Sequence, residues 1–339
     1  MTRMFRGLRV HPTLPSIPKV VFDSAVRVYR GYLEQGRLPS EHPWVIHLET
    51  RSICNSRCTF CAAAVTNPSR PPDTLMPEAL IEKILTELSE IRYANRLSFY
   101  NNNEPFLDPR IVEIVTRARR RLPRAYLEVK TNGMVLTLDK ILQIFDAGLD
   151  VLFINDYVSD GKPSARLQTL REELNQLQRF KEKRVGGKFI SSRVIISTRR
   201  LDEALNTRAG TAPNKTTLRE PLRTPCFRPF EMMTVNPAGF VAVCSDDVYF
   251  KTPMGNVNEQ SLMDIWNSER WREMRLRLLD GQRGCYANTC RDCDNQNPKL
   301  ELMQAAGVPI PRQRIKRLLR FMKHGVGSLT SPVEYEAVD

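Results

Sequence analysis

The chain reads Trp44-Val45-Ile46-His47-Leu48-Glu49 and, after a short connection, Cys54-Asn55-Ser56-Arg57-Cys58-Thr59-Phe60-Cys61. The first stretch is short and mostly apolar, which predicts a buried β-strand. The second is a C-x3-C-x2-C run, whose three thiolates can bind three irons of one [4Fe-4S] cube. The fourth iron then has no protein ligand, and an open coordination position allows a metal site to act on another molecule. A zinc site is the alternative, although zinc prefers four ligands and paired C-x2-C knuckles.

Strands and helices alternate after this loop. Apolar periodicity predicts helices that begin near Pro77 and that cover residues 109–121, 138–147 and 164–182. Short apolar runs predict strands over residues 96–101, 125–130, 151–154 and 189–197. Such alternation predicts parallel strands joined by right-handed crossovers, and therefore an α/β barrel or open sheet. The cysteine loop follows the first strand, at the carboxyl end where these folds place their chemistry.

Composition limits the class of protein. The 339 residues are 41% hydrophobic and 26% charged, which is typical of a globular protein. No apolar run approaches the roughly 18 residues of a transmembrane helix, and the N-terminus lacks an apolar signal core. Eight cysteines without an export signal favour metal ligands over disulfides. We therefore expect a cytoplasmic protein without a transmembrane segment.

The net charge of +13 has two interpretations. It can be a solvated basic surface, or it can attract an anionic substrate, an acidic partner or nucleic acid. Basic residues cluster at positions 117–121 and 312–317, but no nucleic-acid-binding motif accompanies them. A nucleic-acid partner is therefore not expected.

The cysteine loop after the first strand of an α/β chain, with the aromatic Phe60 before the third cysteine, resembles the radical S-adenosylmethionine (radical SAM) superfamily. The resemblance implies that Cys54, Cys58 and Cys61 hold the open cluster and that S-adenosylmethionine chelates its fourth iron. One electron then cleaves the cofactor to a 5′-deoxyadenosyl radical, which abstracts a hydrogen atom from the substrate.

The same resemblance extends to the loops after the next strands. Asn102-Asn103-Glu104-Pro105 stands where the family usually has Gly-Gly-Glu-Pro, which contacts the methionine amino group. The match implies cofactor contacts for Phe60, Asn103 and Glu104, although the two glycines are replaced. Thr131-Asn132-Gly133 resembles a motif that faces the substrate cavity. Asn155, at the end of the fourth predicted strand, is placed to contact the cofactor, and a plain strand-end turn explains it equally well.

The remaining cysteines follow a proline-rich region. A hairpin is predicted from residues 232–236 and 240–244 around Pro237-Ala238-Gly239. With Gly255-Asn256-Val257, Ile265-Trp266-Asn267 and a closing C-x2-C pair, this order resembles the SPASM/twitch extension of radical SAM enzymes. The resemblance implies one auxiliary [4Fe-4S] cluster, because five cysteines cannot fill two closed four-thiolate cubes. The implied ligands, for which a zinc knuckle is the alternative, are Cys226, Cys244, Cys290 and Cys293.

Cys285 is left over from these assignments. It is a structural thiol, an alternative cluster ligand, or a candidate hydrogen donor like the cysteine that returns a hydrogen atom in radical epimerases.

Together these features predict the α/β class, with a partial (β/α) radical SAM barrel and a small C-terminal β-hairpin/helix auxiliary-cluster domain. The expected divisions are an N-terminal extension (1–40), the barrel (41–215), the auxiliary-cluster domain (216–298) and a basic C-terminal tail (299–339). Residues 19–35 predict an amphipathic helix in the extension. Residues 311–324 predict a helix that docks on the barrel or meets an anionic partner or membrane.

The resemblance implies an oxidoreductase or epimerase that acts on a small polar substrate, such as a sugar- or aminoglycoside-like natural product. A maturase that modifies a peptide or protein side chain is the alternative. Flavodoxin or ferredoxin is the expected electron donor. The alternatives from other classes are a passive iron-sulfur electron carrier and a zinc-stabilised nucleic-acid-binding protein. The carrier would need no open iron, and metal analysis would separate the zinc protein.

Overall fold

A computed structural model of the chain describes residues 19–180, 183–185, 188–191, 193–203, 205–286, 288–295 and 307. The predictions for the basic tail, including its helix and the cluster at 312–317, lie outside these residues. The strands are β1 (Val45–Leu48), β2 (Arg96–Ser98), β3 (Tyr126–Thr131), β4 (Val151–Val158), β5 (Lys183–Val185), β6 (Lys188–Ile190), β7 (Val194–Arg200), β8 (Met232–Val235), β9 (Phe240–Ala242) and β10 (Gly255–Asn256). The helices are α1 (Lys19–Glu34), α2 (Glu78–Glu90), α3 (Ile111–Arg121), α4 (Leu138–Asp146), α5 (Ala165–Gln176), α6 (Leu262–Asn267), α7 (Glu269–Leu279), α8 (Arg283–Tyr286) and α9 (Asn288–Arg291).

All the described strands belong to one ten-stranded sheet, in the order β10-β9-β8-β1-β2-β3-β4-β7-β6-β5. Neighbours from β8 through β1, β2, β3 and β4 to β7 pair in parallel. The helices α2, α3, α4 and α5 lie between successive parallel strands along the chain. The predicted α/β architecture is confirmed, and the sheet is open, with β10 and β5 at its edges.

Alternation along the strands gives the sheet two different faces. Ile46 and Leu48 of β1 join one large apolar core with Leu97 of β2 and the apolar sides of the covering helices. The intervening His47 lies in register with Ser98, and Ser98 with Glu128. All three are buried. The other face of the sheet therefore carries a row of buried polar side chains.

The region around β5–β7 differs from the prediction. The helix expected over 164–182 ends at Gln176, and the single strand expected over 189–197 is two strands, β6 and β7. They pair in antiparallel fashion around Ser191, whose hydroxyl accepts from the Val194 amide at 2.8 Å. A serine turn thus interrupts an apolar run that reads as continuous.

Strand β4 is longer than predicted. It pairs with β7 as far as Val158, which lies opposite Arg200. Asn155 therefore lies inside β4 and not at its end, which corrects its expected placement at a strand-end turn.

The predicted N-terminal helix is present as α1, and it packs on the C-terminal part of the chain. Its Tyr29 ring lies 5.0 Å from that of Phe227 and 4.8 Å from that of Phe230. Leu279 of α7 completes the cluster. An exposed ion pair joins Arg30 to Asp280. Among the described residues, no helix has the length and apolarity needed to span a membrane.

Candidate functional site

The loop that carries the first three cysteines is tied to the carboxyl ends of two strands. The Glu104 amide, beyond β2, donates to the carbonyl of Ile53 at 2.8 Å. The Thr59 amide donates to the carbonyl of Leu201, beyond β7, at 2.9 Å. These backbone hydrogen bonds fix the loop at the edge where the sequence predicts chemistry.

Polar groups surround the first thiols. The Ser56 amide donates to Cys54 Sγ at 3.4 Å, and its hydroxyl lies 2.9 Å from Cys58 Sγ. Asn132 Nδ2, from the loop after β3, donates to Cys54 Sγ at 3.6 Å. Burial raises the pKa of Cys54 to about 12 and that of Cys58 to about 11. Their thiolates therefore need a positive partner, which iron bound there would supply.

Glu104 joins the loops after β2 and β3. Its carboxylate accepts from the Phe106 amide at 3.1 Å, from Thr131 Oγ1 at 2.6 Å and from the Asn132 amide at 2.7 Å. Because Asn132 also contacts Cys54, this carboxylate positions the loop beside the first thiols. Burial raises the pKa of Glu104, and these three donors oppose that rise.

The loop after β2 contains buried polar atoms without partners among the described residues. They are both amide atoms of the Asn101 side chain and Nδ2 of Asn103. The Asn103 side-chain oxygen accepts from the Asn101 amide at 3.0 Å. Each buried polar group without a partner costs about 1–3 kcal/mol. These atoms therefore fit a polar ligand, and the amino and carboxylate groups of S-adenosylmethionine match them chemically.

Phe60 and Asn155 meet at a tyrosine that the sequence analysis did not identify. The buried Phe60 ring lies 5.6 Å from that of Tyr157, and Asn155 Nδ2 donates to the Tyr157 hydroxyl at 3.3 Å. Burial raises the pKa of Tyr157, with Arg199 opposing the rise. Arg199 pairs with Glu203 at 2.7 Å. The extended β4 would have been the signal for Tyr157, since it carries this residue past the predicted strand end.

The second set of thiols lines one cavity. Cys226, Cys244, Cys290 and Cys293 all contribute to its wall, together with Arg228 and Arg283. The cavity thus brings together the four cysteines that the resemblance assigns to one cluster. Cys285 lies in α8, and its side chain is outside the described part of the chain.

Two hydrogen bonds to backbone carbonyls, one from a cysteine amide and one from a tryptophan side chain, help to position this second set of cysteines. The Cys226 amide donates to the carbonyl of Leu278 at 2.9 Å, and Trp271 Nε1 donates to the carbonyl of Pro229 at 2.9 Å. At the hairpin turn, Gly239 has φ +86°, and a Cβ there would lie 2.4 Å from the side chain of Asn258. Glycine is therefore required where the predicted Pro237-Ala238-Gly239 turn reverses the chain.

The thiols at the second site are in a low-dielectric setting. Burial raises the pKa of Cys244 and Cys290, and it raises the pKa of Cys293 to about 12. All seven cysteines whose side chains are described are free of disulfides. Among the described residues, no group of three or more His, Cys, Asp or Glu side chains is arranged to hold a single metal ion. A [4Fe-4S] cube would bind each of these thiolates to a different iron, and zinc bound by the same four thiols is the alternative.

Asn102 connects the two thiol sites. Its amide donates to Glu49 Oε1 at 3.2 Å, and its side chain donates to the carbonyl of Ser245, beside Cys244, at 3.1 Å. Arg208 donates to the Asn102 side-chain oxygen. Glu49 is buried, and burial raises its pKa to about 8. The sequence analysis missed Glu49 and Arg208, because no local pattern indicates that they meet this loop.

Comparisons with known proteins agree with this geometry. Residues 48–155 match the radical SAM superfamily, and residues 226–294 match the SPASM iron-sulfur cluster-binding domain. The chain is 25% identical over 257 residues to the S-adenosyl-L-methionine-dependent 2-deoxy-scyllo-inosamine dehydrogenase of Niallia circulans. The aligned region covers 76% of this chain and 95% of that protein.

Solved structures of BtrN have a similar fold. The crystal structure of BtrN in complex with AdoMet and 2-DOIA has a TM-score of 0.63 at 25% identity, over 75% of this chain and 94% of that one. An open conformation of BtrN has a TM-score of 0.54 at 23% identity, over 75% and 93% of the two chains. With its two thiol sets inside the two matched regions, the chain belongs to the radical SAM superfamily of enzymes, carries a SPASM iron-sulfur domain, and has S-adenosyl-L-methionine and [4Fe-4S] clusters as its cofactors.

Proposed function

We propose that this radical SAM enzyme is a dehydrogenase that oxidises a secondary alcohol of a small polyhydroxylated substrate, of the aminocyclitol or amino-sugar kind. The observation that carries this proposal is the buried polar row on the face of the sheet opposite the large apolar core. The Niallia circulans relative, named as a dehydrogenase of 2-deoxy-scyllo-inosamine, supports the same substrate class.

Donors and acceptors alternate along the polar row. Tyr100 donates to Glu128 Oε1 at 2.7 Å, and Arg96 pairs with Glu128 Oε2 at 3.5 Å with both side chains buried. The Lys130 ammonium lies 5.0 Å from the Tyr100 ring centroid and 5.2 Å from that of Phe153. Buried polar groups are costly unless they are hydrogen-bonded, and binding sites use a few such groups to orient a ligand. Hydroxyl groups both donate and accept, so they suit this lining better than an apolar ligand does.

Cofactors would be held by residues already described. Cys54, Cys58 and Cys61 would bind the open cluster, and Asn101 and Asn103 would contact S-adenosylmethionine. The bound cofactors would supply hydrogen-atom abstraction. The proposed auxiliary ligands are the four cysteines that line the second cavity.

Oxidation of an alcohol to a ketone also releases a proton and an electron. His47 Nδ1 lies 3.1 Å from the carbonyl of Tyr100. Because a carbonyl only accepts, Nδ1 is the donor in this contact, so Nε2 is the ring nitrogen that could take up a proton. We assign His47 Nε2 as the acceptor of the hydroxyl proton, and the proposed auxiliary cluster would accept the electron.

The test is an anaerobic assay of the reconstituted enzyme with dithionite, S-adenosylmethionine and 2-deoxy-scyllo-inosamine. Related polyols and a panel of peptides are run in parallel. We expect 5′-deoxyadenosine and a ketone in equal amounts, and transfer of deuterium from the labelled carbinol carbon. A product that is inverted at the carbinol carbon and carries no ketone would favour epimerisation instead. Turnover of peptides alone would favour the maturase alternative and overturn the proposal.

A matched pair of variants tests the base. His47→Asn keeps a donor near the Tyr100 carbonyl and removes Nε2, whereas His47→Gln keeps a polar group nearer the Nε2 position. We expect His47→Asn to lower kcat by about 10²–10⁴-fold with little change in KM. Equal activity of His47→Asn and the wild type would remove His47 from the reaction.

A further inference from the structure

Arg283 is a buried arginine at the start of α8, with 2% of its surface exposed. Backbone carbonyls hold its guanidinium on three sides. Nε donates to Thr224 at 2.9 Å, Nη2 to Pro225 at 3.0 Å, and Nη1 to Asn295 at 2.8 Å. Nη1 also lies 3.9 Å from Cys293 Sγ. The side chain is therefore fixed, and it faces one of the four thiols.

Among the described residues, the contacts of the Arg283 guanidinium are to backbone carbonyls and to Cys293 Sγ, and none is to a carboxylate. Among the other buried arginines, Arg96 pairs with Glu128. The Arg275 guanidinium lies 4.3 Å from the Trp266 ring centroid, and its Nη2 is buried without a hydrogen-bond partner among the described residues. An unpaired buried cation costs several kcal/mol. Carbonyl dipoles offset part of this cost, and an anion in the adjoining cavity would offset the rest.

The charges around the cavity indicate where that anion lies. Arg228, Glu231, Asp246 and Arg283 line it together with the four thiols. Glu231 and Asp246 are acidic neighbours of Arg228, so the charges of these four side chains cancel before the thiolates are counted. Arg283 is the cation of this group whose Nη1 lies 3.9 Å from a thiol, that of Cys293.

We infer that Arg283 is an electrostatic positioning residue of the auxiliary cluster, and that its fixed charge increases the affinity of this cluster for one additional electron. The inference rests on the proposed assignment of Cys226, Cys244, Cys290 and Cys293 as cluster ligands. A cube with four thiolate ligands is an anion, and reduction adds one more negative charge. Charges interact strongly where water is excluded, so a fixed cation stabilises the reduced form more than the oxidised form.

The test measures the reduction potential of the auxiliary cluster alone. Replacing Cys54, Cys58 and Cys61 with alanine removes the first cluster, and redox titration followed by electron paramagnetic resonance then reports the second. Arg283→Gln should lower the equilibrium constant for one-electron reduction at least tenfold, which is 59 mV for a one-electron couple. Arg283→Lys should stay within about threefold of the parent, because it keeps the charge.

Arg291→Gln is the matched control. Arg291 follows Cys290, but its side chain is half exposed and pairs with Asp292 at 3.0 Å. Solvent and this partner screen its charge, so the equilibrium constant should change by less than twofold.

The possible outcomes separate the inference from the proposed function. The inference would be overturned if Arg283→Gln left the reduction potential of the auxiliary cluster unchanged, or if Arg283→Lys lowered that potential as much as Arg283→Gln does. Either result would leave the proposed oxidation intact. If Arg283→Gln loses iron and Arg283→Lys keeps it, the charge is again the cause, whereas loss from both would assign Arg283 a purely structural role. A triple-cysteine variant without any iron-sulfur cluster would overturn the ligand assignment together with the inference.

Discussion

Glu104→Gln tests whether the motif glutamate positions the site or only contacts the cofactor. In the folded chain Oε1 accepts from Phe106 and Thr131, and Oε2 accepts from Asn132. Glutamine has one acceptor oxygen, so its amide nitrogen would face one of these donors. An unsatisfied buried donor costs about 1–3 kcal/mol. Removing a buried negative charge offsets part of this cost, because burial opposes ionisation of Glu104. We expect the free energy of unfolding to fall by about 2 kcal/mol.

The assay is urea unfolding followed by circular dichroism, together with iron content and S-adenosylmethionine binding. Because Asn132 also contacts Cys54, the loosened loop should lower the iron bound at the first site. Thr131→Val is the matched control, since it removes only the hydroxyl donor to Glu104 and should cost less. If Glu104→Gln weakens S-adenosylmethionine binding more than tenfold with unchanged unfolding and iron content, the carboxylate is a cofactor contact and our account of the loop is wrong.

Two further perturbations report on other parts of the molecule. Burial raises the pKa of Glu49 from 4.5 to about 8, so the folded chain keeps a proton that the unfolded chain releases. Its contribution to stability is complete below pH 4.5 and is lost as the pH rises towards 8, by up to about 5 kcal/mol. Glu49→Gln should remove this slope from the free energy of unfolding measured against pH, and an unchanged slope would contradict the assignment. Tyr29→Ala removes a fully buried ring packed on Phe227. It should lower the free energy of unfolding by about 3–5 kcal/mol and lower the iron content of the auxiliary site, whereas replacement of the more exposed Tyr32 by alanine should do neither. Equal iron content in both variants would show that α1 does not support the auxiliary site.

Local patterns in the sequence were sufficient to predict the features that are set by residues close together in the chain. The β-α alternation predicts the parallel sheet, and the spacing of Cys54, Cys58 and Cys61 predicts an open cluster, because both patterns depend on residues near each other in the chain. The helix predicted over residues 138–147 ends at Asp146, and Gly148 just beyond it has φ +102°. The assignments of Cys54, Cys58, Cys61 and the four second-site cysteines as ligands stay predictions, as do the division of the chain into four parts, the electron donor and the cytoplasmic location.

Long-range contacts were beyond the reach of the sequence. Nothing near Met232 in the chain indicates that β8 pairs with β1, which is almost two hundred positions earlier. The burial of Glu49 and the contact between Arg208 and Asn102 likewise depend on the assembled fold. Such contacts are set by packing between distant segments, and periodicity carries no information about them.

The parallel pairing of β8 with β1 has a mechanical consequence. The strand that leads into the first cysteine loop and the strand that leads towards Cys244 share four paired positions in one hydrogen-bonded ladder. Neighbouring strands are separated by about 4.8 Å, and a ladder cannot bend open without breaking those bonds. We therefore expect β1 and β8 to move as one unit, so that the positions of the two cysteine sites are coupled through this ladder. A chain cut near residue 215 would leave β1 as an edge strand with unpaired backbone N–H and C=O groups. The halves should therefore aggregate when they are produced separately.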